Sequence, residues 1–180
     1  MLKGDTDKLK EGGLRLLTLG EMLLARSVFA STIEYPTVWI HRDSYLPFNL
    51  QNENTSMAPN GEIYFRNQYK DDFSQSTYDY QHLFIHEMSH VWQRMKGMNV
   101  ISRGLVSWMV SYRYTLDGRL LSEYPMEQQA QIIADNFVLQ TYGYKTWVTL
   151  RRSGEVSLDG DISESAIRQC YKEALRGFPW

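Results

Sequence analysis

The chain has 180 residues, a formal net charge of −2, a hydrophobic fraction of 43% and a charged fraction of 22%. These proportions suit one globular domain with a sizeable core and exclude a disordered or fibrous chain. No basic tract is present, which argues against nucleic acid or an anionic membrane surface as a partner. Cys170 is the only cysteine, so an internal disulfide and a cysteine-based zinc site are both excluded. The residue reads as a small, buried apolar side chain on a C-terminal helix.

Residues 1–13 are polar and end in Gly12-Gly13, and they read as a flexible arm before a single domain over 14–180. They lack the apolar stretch of a Sec signal, so the chain is expected to be made in the cytoplasm. Any export would use a route that needs no such signal. The stretch Leu14 to Ala30 is broken by Arg15, Glu21 and Arg26 and is no membrane span. Thr18 and Glu21 form a capping box that opens a helix over about 19–30. Residues 37–41 are β-branched and aromatic and predict a short strand ending at His41. A loop over 42–60 leads to a second strand, Glu62 to Phe65, able to pair with the first.

From Thr77 to Lys96 apolar residues recur at helical spacing, and Gly97 stands where a helix C-cap belongs. A short apolar run over 105–110 suggests a further helix. Asp117-Gly118 marks a turn, Pro125 starts a helix to about Thr141, and Gly143 closes it. A last helix is expected over 163–176.

The second of these helices carries His86-Glu87-Met88-Ser89-His90. Residues i and i+4 share a helix face, so both imidazoles can address one Zn²⁺, with Glu87 beside the open position as general base. At this composition, chance would produce the pattern about 0.005 times in a chain of this length, so it is specific. A catalytic zinc site needs a third protein ligand. The class with a histidine six residues after the second is excluded, because Lys96 stands there. Glu127 is the best candidate, in the first turn after Pro125, on a helix whose Ala130 allows close approach. Gln131 shares its face and would orient a ligand histidine. Glu123, Asp135 and His41 are alternatives, Asp135 being better suited to a salt bridge. His82 is excluded from the same ion, since three successive helical turns diverge from one point.

Glu127-Gln128-Gln129-Ala130-Gln131 after the motif helix resembles the gluzincin pattern, with Gln131 where many relatives carry aspartate. More specifically, four stretches resemble the Vgr-related and Rhs-associated zincin-like domains of bacterial type VI secretion systems. They are Leu17 to Glu21, Pro59 to Phe65, Phe84 to Gln93 and Met126 to Ala130. That resemblance covers about 14–142. It implies an α+β minimal zincin-like fold, with a small antiparallel sheet packed on a helical core around the motif helix. It also implies zinc dependence and an antibacterial effector role. A secretion-apparatus component or a cognate immunity protein would then be the partner, with action in a target cell after secretion.

The expected activity is that of a zinc-dependent peptidase acting on protein or peptide. His86, His90 and Glu127 would hold the metal, and Glu87 would take a proton from the attacking water. Tyr112, Arg113, Tyr114 and Tyr124 are candidates for supporting the oxyanion, and His41 for binding substrate. If the Glu62–Phe65 strand lies at a sheet edge, it would hold an extended peptide. Two other readings stand beside this one: a peptidoglycan-directed amidase or peptidase, and a non-catalytic secretion adaptor whose metal site is closed by a fourth ligand.

Overall fold

The computed structural model describes residues 8–100 and 111–180, so the short helix expected over 105–110 lies outside the described residues. Chain order runs through strand β1 (Leu14–Leu16), helix α1 (Leu19–Phe29), β2 (Trp39–Arg42), β3 (Ile63–Phe65) and α2 (Tyr78–Met95). It continues with β4 (Tyr114–Thr115), α3 (Met126–Tyr142), α4 (Tyr144–Ser153), β5 (Leu158–Asp159) and α5 (Glu164–Ala174). The architecture is α+β. No described helix is long and apolar enough to cross a membrane.

The expected antiparallel sheet is mixed. β1 pairs antiparallel with β2, Arg15 opposite Ile40, while β3 runs parallel to β2, Ile40 opposite Ile63. A parallel pair needs a long connection, and the loop between Arg42 and Ile63 supplies it. β3 is an edge strand, but its outer side is partly taken: Met57 and Tyr64 exchange two backbone hydrogen bonds of 3.1 and 2.8 Å. The edge nearest the candidate site is therefore the 55–58 segment rather than β3. Gly12 and Gly13 extend the β1–β2 ladder through Arg42, so the arm's last residues are tied down.

α1 begins as the capping box requires. Thr18 Oγ1 accepts from the Glu21 amide and Glu21 Oε1 accepts from the Thr18 amide. Glu21 is fully buried, and it is compensated there by Arg15 at 2.7 Å and by the Phe73 amide at 3.1 Å. One carboxylate thus joins β1, α1 and the turn before α2. Gly20 faces that turn closely enough that a Cβ would sit 2.1 Å from Ser74 Oγ, so a larger residue would have to push that hydroxyl off its bond to Asp72.

α2 and α3 pack against each other through the middle of the molecule. α2 contributes Phe84, Ile85, Met88, Val91 and Trp92, and α3 contributes Ile132, Ile133, Ala134 and Val138, all buried. Apolar side chains thus cover both flanks of the motif helix, which fixes the register of His86 and His90. Gly97, at φ +80°, ends α2 in the left-handed conformation its lack of a Cβ allows. Two elements are additional to those predicted from sequence between Gly143 and Ser163, α4 and β5, and β5 pairs in parallel with β4. Cys170 lies on α5 but is half-buried rather than buried.

Candidate metal centre

His86 and His90 project from adjacent turns of α2 toward the first turn of α3. Glu127 Oε2 lies 3.4 Å from His86 Nε2 and 3.2 Å from His90 Nε2. Among the described residues these are the three side chains whose ligand atoms converge, all within 4.8 Å of one another. Two donors on one tetrahedral zinc, each about 2.1 Å from it, lie about 3.4 Å apart. The Glu127 distances meet that requirement. Ala130, one turn on and fully buried, lets α3 approach α2 without a side chain between them.

Each group is supported by a partner. His90 Nδ1 meets Gln93 Oε1 at 2.8 Å. Gln93 Nε2 donates to the Met126 carbonyl at 2.9 Å and to Gln129 Oε1 at 3.1 Å. Accepting from Nδ1–H leaves the His90 Nε2 lone pair for a metal. Gln93, three residues after His90 on the same face, therefore does what was expected of Gln131. Gln131 instead donates to Asp135 Oδ1 at 2.9 Å and to the Glu155 carbonyl. Glu87 is buried; Ser56 Oγ donates to its Oε1 at 2.7 Å, while Oε2 is buried without a hydrogen-bond partner among the described residues.

The electrostatics follow from this packing. Burial works to lower the His90 pKa, but the negative charges of Glu127 and Glu87 and the Gln93 acceptor outweigh it and lift the group to about 9. Burial works to raise Glu127, but His90 and His86 outweigh it and hold its carboxyl well below the usual range. These shifts favour a protonated His90 imidazole held against the ionised Glu127 carboxylate.

The remaining candidates separate. Tyr112 lies beside the motif, its ring 5.9 Å from that of His86. Partial burial and then the charges of Glu127 and Glu87 push its phenol up to about 12, so it stays a donor. Arg113 is exposed and forked onto Asp159 at 2.6 Å. Tyr114 is buried on Asp135, at 2.8 Å, and Tyr171. Tyr124 is tied to the Thr115 carbonyl at 2.7 Å beneath Arg119. Neither hydroxyl reaches the metal donors. His41 stacks on Tyr64 at 4.1 Å and meets Glu62 at 3.0 Å, on the sheet. His82 is paired with the fully buried Asp135 at 2.7 Å. Glu123 caps the turn before α3 through the Leu120 amide.

His86 and Glu87 open into a cleft of about 790 Å³, lined also by Thr55, Ser56, His82, Tyr112 and Gln131. A smaller recess of about 70 Å³ reaches His90 and Glu127 beneath Met57 and Ala58. The cleft is large enough for a short extended segment of a polymer.

No protein-family model matches the chain. The sequence is similar to the type VI secretion system spike protein VgrG2b of Pseudomonas aeruginosa, with 39% identity over 133 residues. That match covers 69% of this chain and 13% of the spike protein, so the chain spans a small part of that relative's length. The fold is similar to the solved effector domain of Pseudomonas aeruginosa VgrG2b, with a TM-score of 0.64 and 33% identity. The superposition covers 86% of this chain and 89% of that domain.

Proposed function

This chain belongs to the family of the VgrG2b effector domain, and on that basis we propose that it is a type VI secretion effector working as a zinc-dependent hydrolase, specifically a metallopeptidase. The observation that carries this reading is the convergence of His86, His90 and Glu127 beside the unpartnered Oε2 of Glu87. Carriage into a target cell by a spike component, with a cognate immunity protein in the producer, is part of the same proposal.

The donor set fits zinc: two imidazoles and one carboxylate, with three members among the described residues and a fourth position left for water. Bound there, zinc supplies a Lewis acid that polarises a substrate carbonyl and brings the pKa of water toward about 7. Glu87 accepts the attacking water's proton at Oε2 and returns it to the leaving amine. Tyr112, kept protonated, donates to the developing oxyanion. Gln93 holds His90 in the tautomer that offers Nε2. The backbone of 55–58, running beside the site, aligns an extended substrate by strand addition.

A site with three protein ligands favours catalysis over a closed, purely structural metal site. The test is hydrolysis by the zinc-loaded chain on two substrates, unfolded casein and purified sacculi. Cleavage of casein, lost at least about a hundredfold in Glu87→Ala at unchanged zinc content, is expected of a peptidase with this base. Cleavage confined to sacculi would move the assignment to cell-wall peptide. Equal activity of Glu87→Ala and wild type would refute the mechanism.

A further inference from the structure

We propose that Ser56 is the positioning residue for Glu87, holding its carboxylate so that Oε2 faces the attacking water. This rests on the hydrolase reading above. The Ser56 hydroxyl donates to Oε1 at 2.7 Å, and Oε2 is buried with no hydrogen-bond partner among the described residues. A carboxylate turning about its last torsion exchanges its two oxygens, and a donor on one of them selects a single orientation. With Oε1 taken by the Ser56 hydroxyl, Oε2 is the oxygen that has no protein donor among the described residues and so is the one free to take a proton from water.

Ser56 is itself held from both sides. The next residue, Met57, exchanges two backbone hydrogen bonds with Tyr64 on β3. The carbonyl of the preceding residue, Thr55, accepts from Gln51 Nε2 at 2.7 Å, and the same amide donates to the Tyr64 carbonyl at 3.0 Å. Gln51 is buried and also accepts from the Tyr45 amide at 2.8 Å. The Ser56 hydroxyl therefore approaches α2 from a segment clamped to the sheet. This gives an account of the 43–62 loop: it carries the hydroxyl across to the base.

A purely structural role, anchoring the loop to α2, would cost stability and leave turnover alone. The experiment is steady-state kinetics of the zinc-loaded chain, on whichever of unfolded casein and purified sacculi the wild type cleaves. Zinc content and thermal midpoint are measured alongside. Ser56→Ala is expected to bind zinc fully, keep KM within about twofold and lose about tenfold in kcat, the scale of one hydrogen bond. Ser56→Thr, which keeps the hydroxyl, is expected to recover most of that loss. Gln51→Ala should lower kcat less, and the double variant should be no slower than Ser56→Ala, because both act through one bond. Wild-type kcat in Ser56→Ala, or a loss that threonine does not recover, overturns the proposal and leaves the hydrolase reading standing. A zinc-loaded wild type no more active than Glu87→Ala on either substrate overturns both.

Discussion

At the residue scale, the proposed metal centre would depend on Gln93 as well as on the three donors. Gln93 is fully buried and holds His90 Nδ1 at one end and the α3 backbone at the other. Gln93→Ala should weaken zinc binding by about 10- to 100-fold, the usual cost of removing a partner that orients a ligand. Competition with a chelator of known affinity measures it. The charges make a second prediction. In the metal-free fold His90 is raised from 6.5 to about 9, so its contribution to stability is full below pH 6.5 and is lost as pH rises through about 9. Glu127 is depressed from 4.5, so its contribution is present above that value and lost as pH falls. Zinc must displace the His90 proton, and its apparent affinity should rise about tenfold per pH unit between pH 7 and 9. Proton release on zinc addition, read by calorimetry in buffers of different ionisation enthalpy, checks this. Gln93 was legible in principle, because i and i+3 are helix neighbours. Ser56 was not: no local pattern says which loop residue returns to α2.

At the element scale, the site is a relation between two helices. α2 and α3 were readable from their apolar periodicity and end signals, and Glu127 from its place in the first turn of α3. Their approach relies on Ala130, fully buried at the seam. Ala130→Leu should cost about 1–3 kcal/mol of stability by overpacking, and should weaken zinc binding by moving Glu127. Urea unfolding and metal titration of one preparation would show both effects. The sheet was less legible. Strand direction is set by where the 43–62 connection crosses, and β1, β4 and β5 have only two or three residues each, too few for alternation to register. α4 escaped notice because its sequence is largely polar, and only Trp147 and Leu150 are buried.

At the scale of the whole molecule, Asp135 connects the half that carries the candidate metal site to the C-terminal part, for which the sequence offered no role. Its carboxylate accepts from the Tyr114 hydroxyl at 2.8 Å, Gln131 at 2.9 Å and the Ser157 amide at 3.0 Å, and it pairs with His82 at 2.7 Å. Tyr114 in turn meets Tyr171 on α5. Asp135→Ala should cost about 3–5 kcal/mol, because it leaves His82 and the other donors buried without their acceptor. Differential scanning calorimetry of the metal-free chain would register it. This network lies one turn upstream of His86, so the C-terminal helices brace the floor of the cleft.

The central claim is that His86, His90 and Glu127 bind one catalytic metal ion. Its most direct test is the zinc content of the purified chain at neutral pH, by elemental analysis, for wild type, His86→Ala and Glu127→Gln. The account predicts one zinc per wild-type chain and strong loss from both variants while they remain folded. A folded wild type that takes up no stoichiometric transition metal, or a Glu127→Gln chain that holds zinc as tightly as wild type, would contradict it.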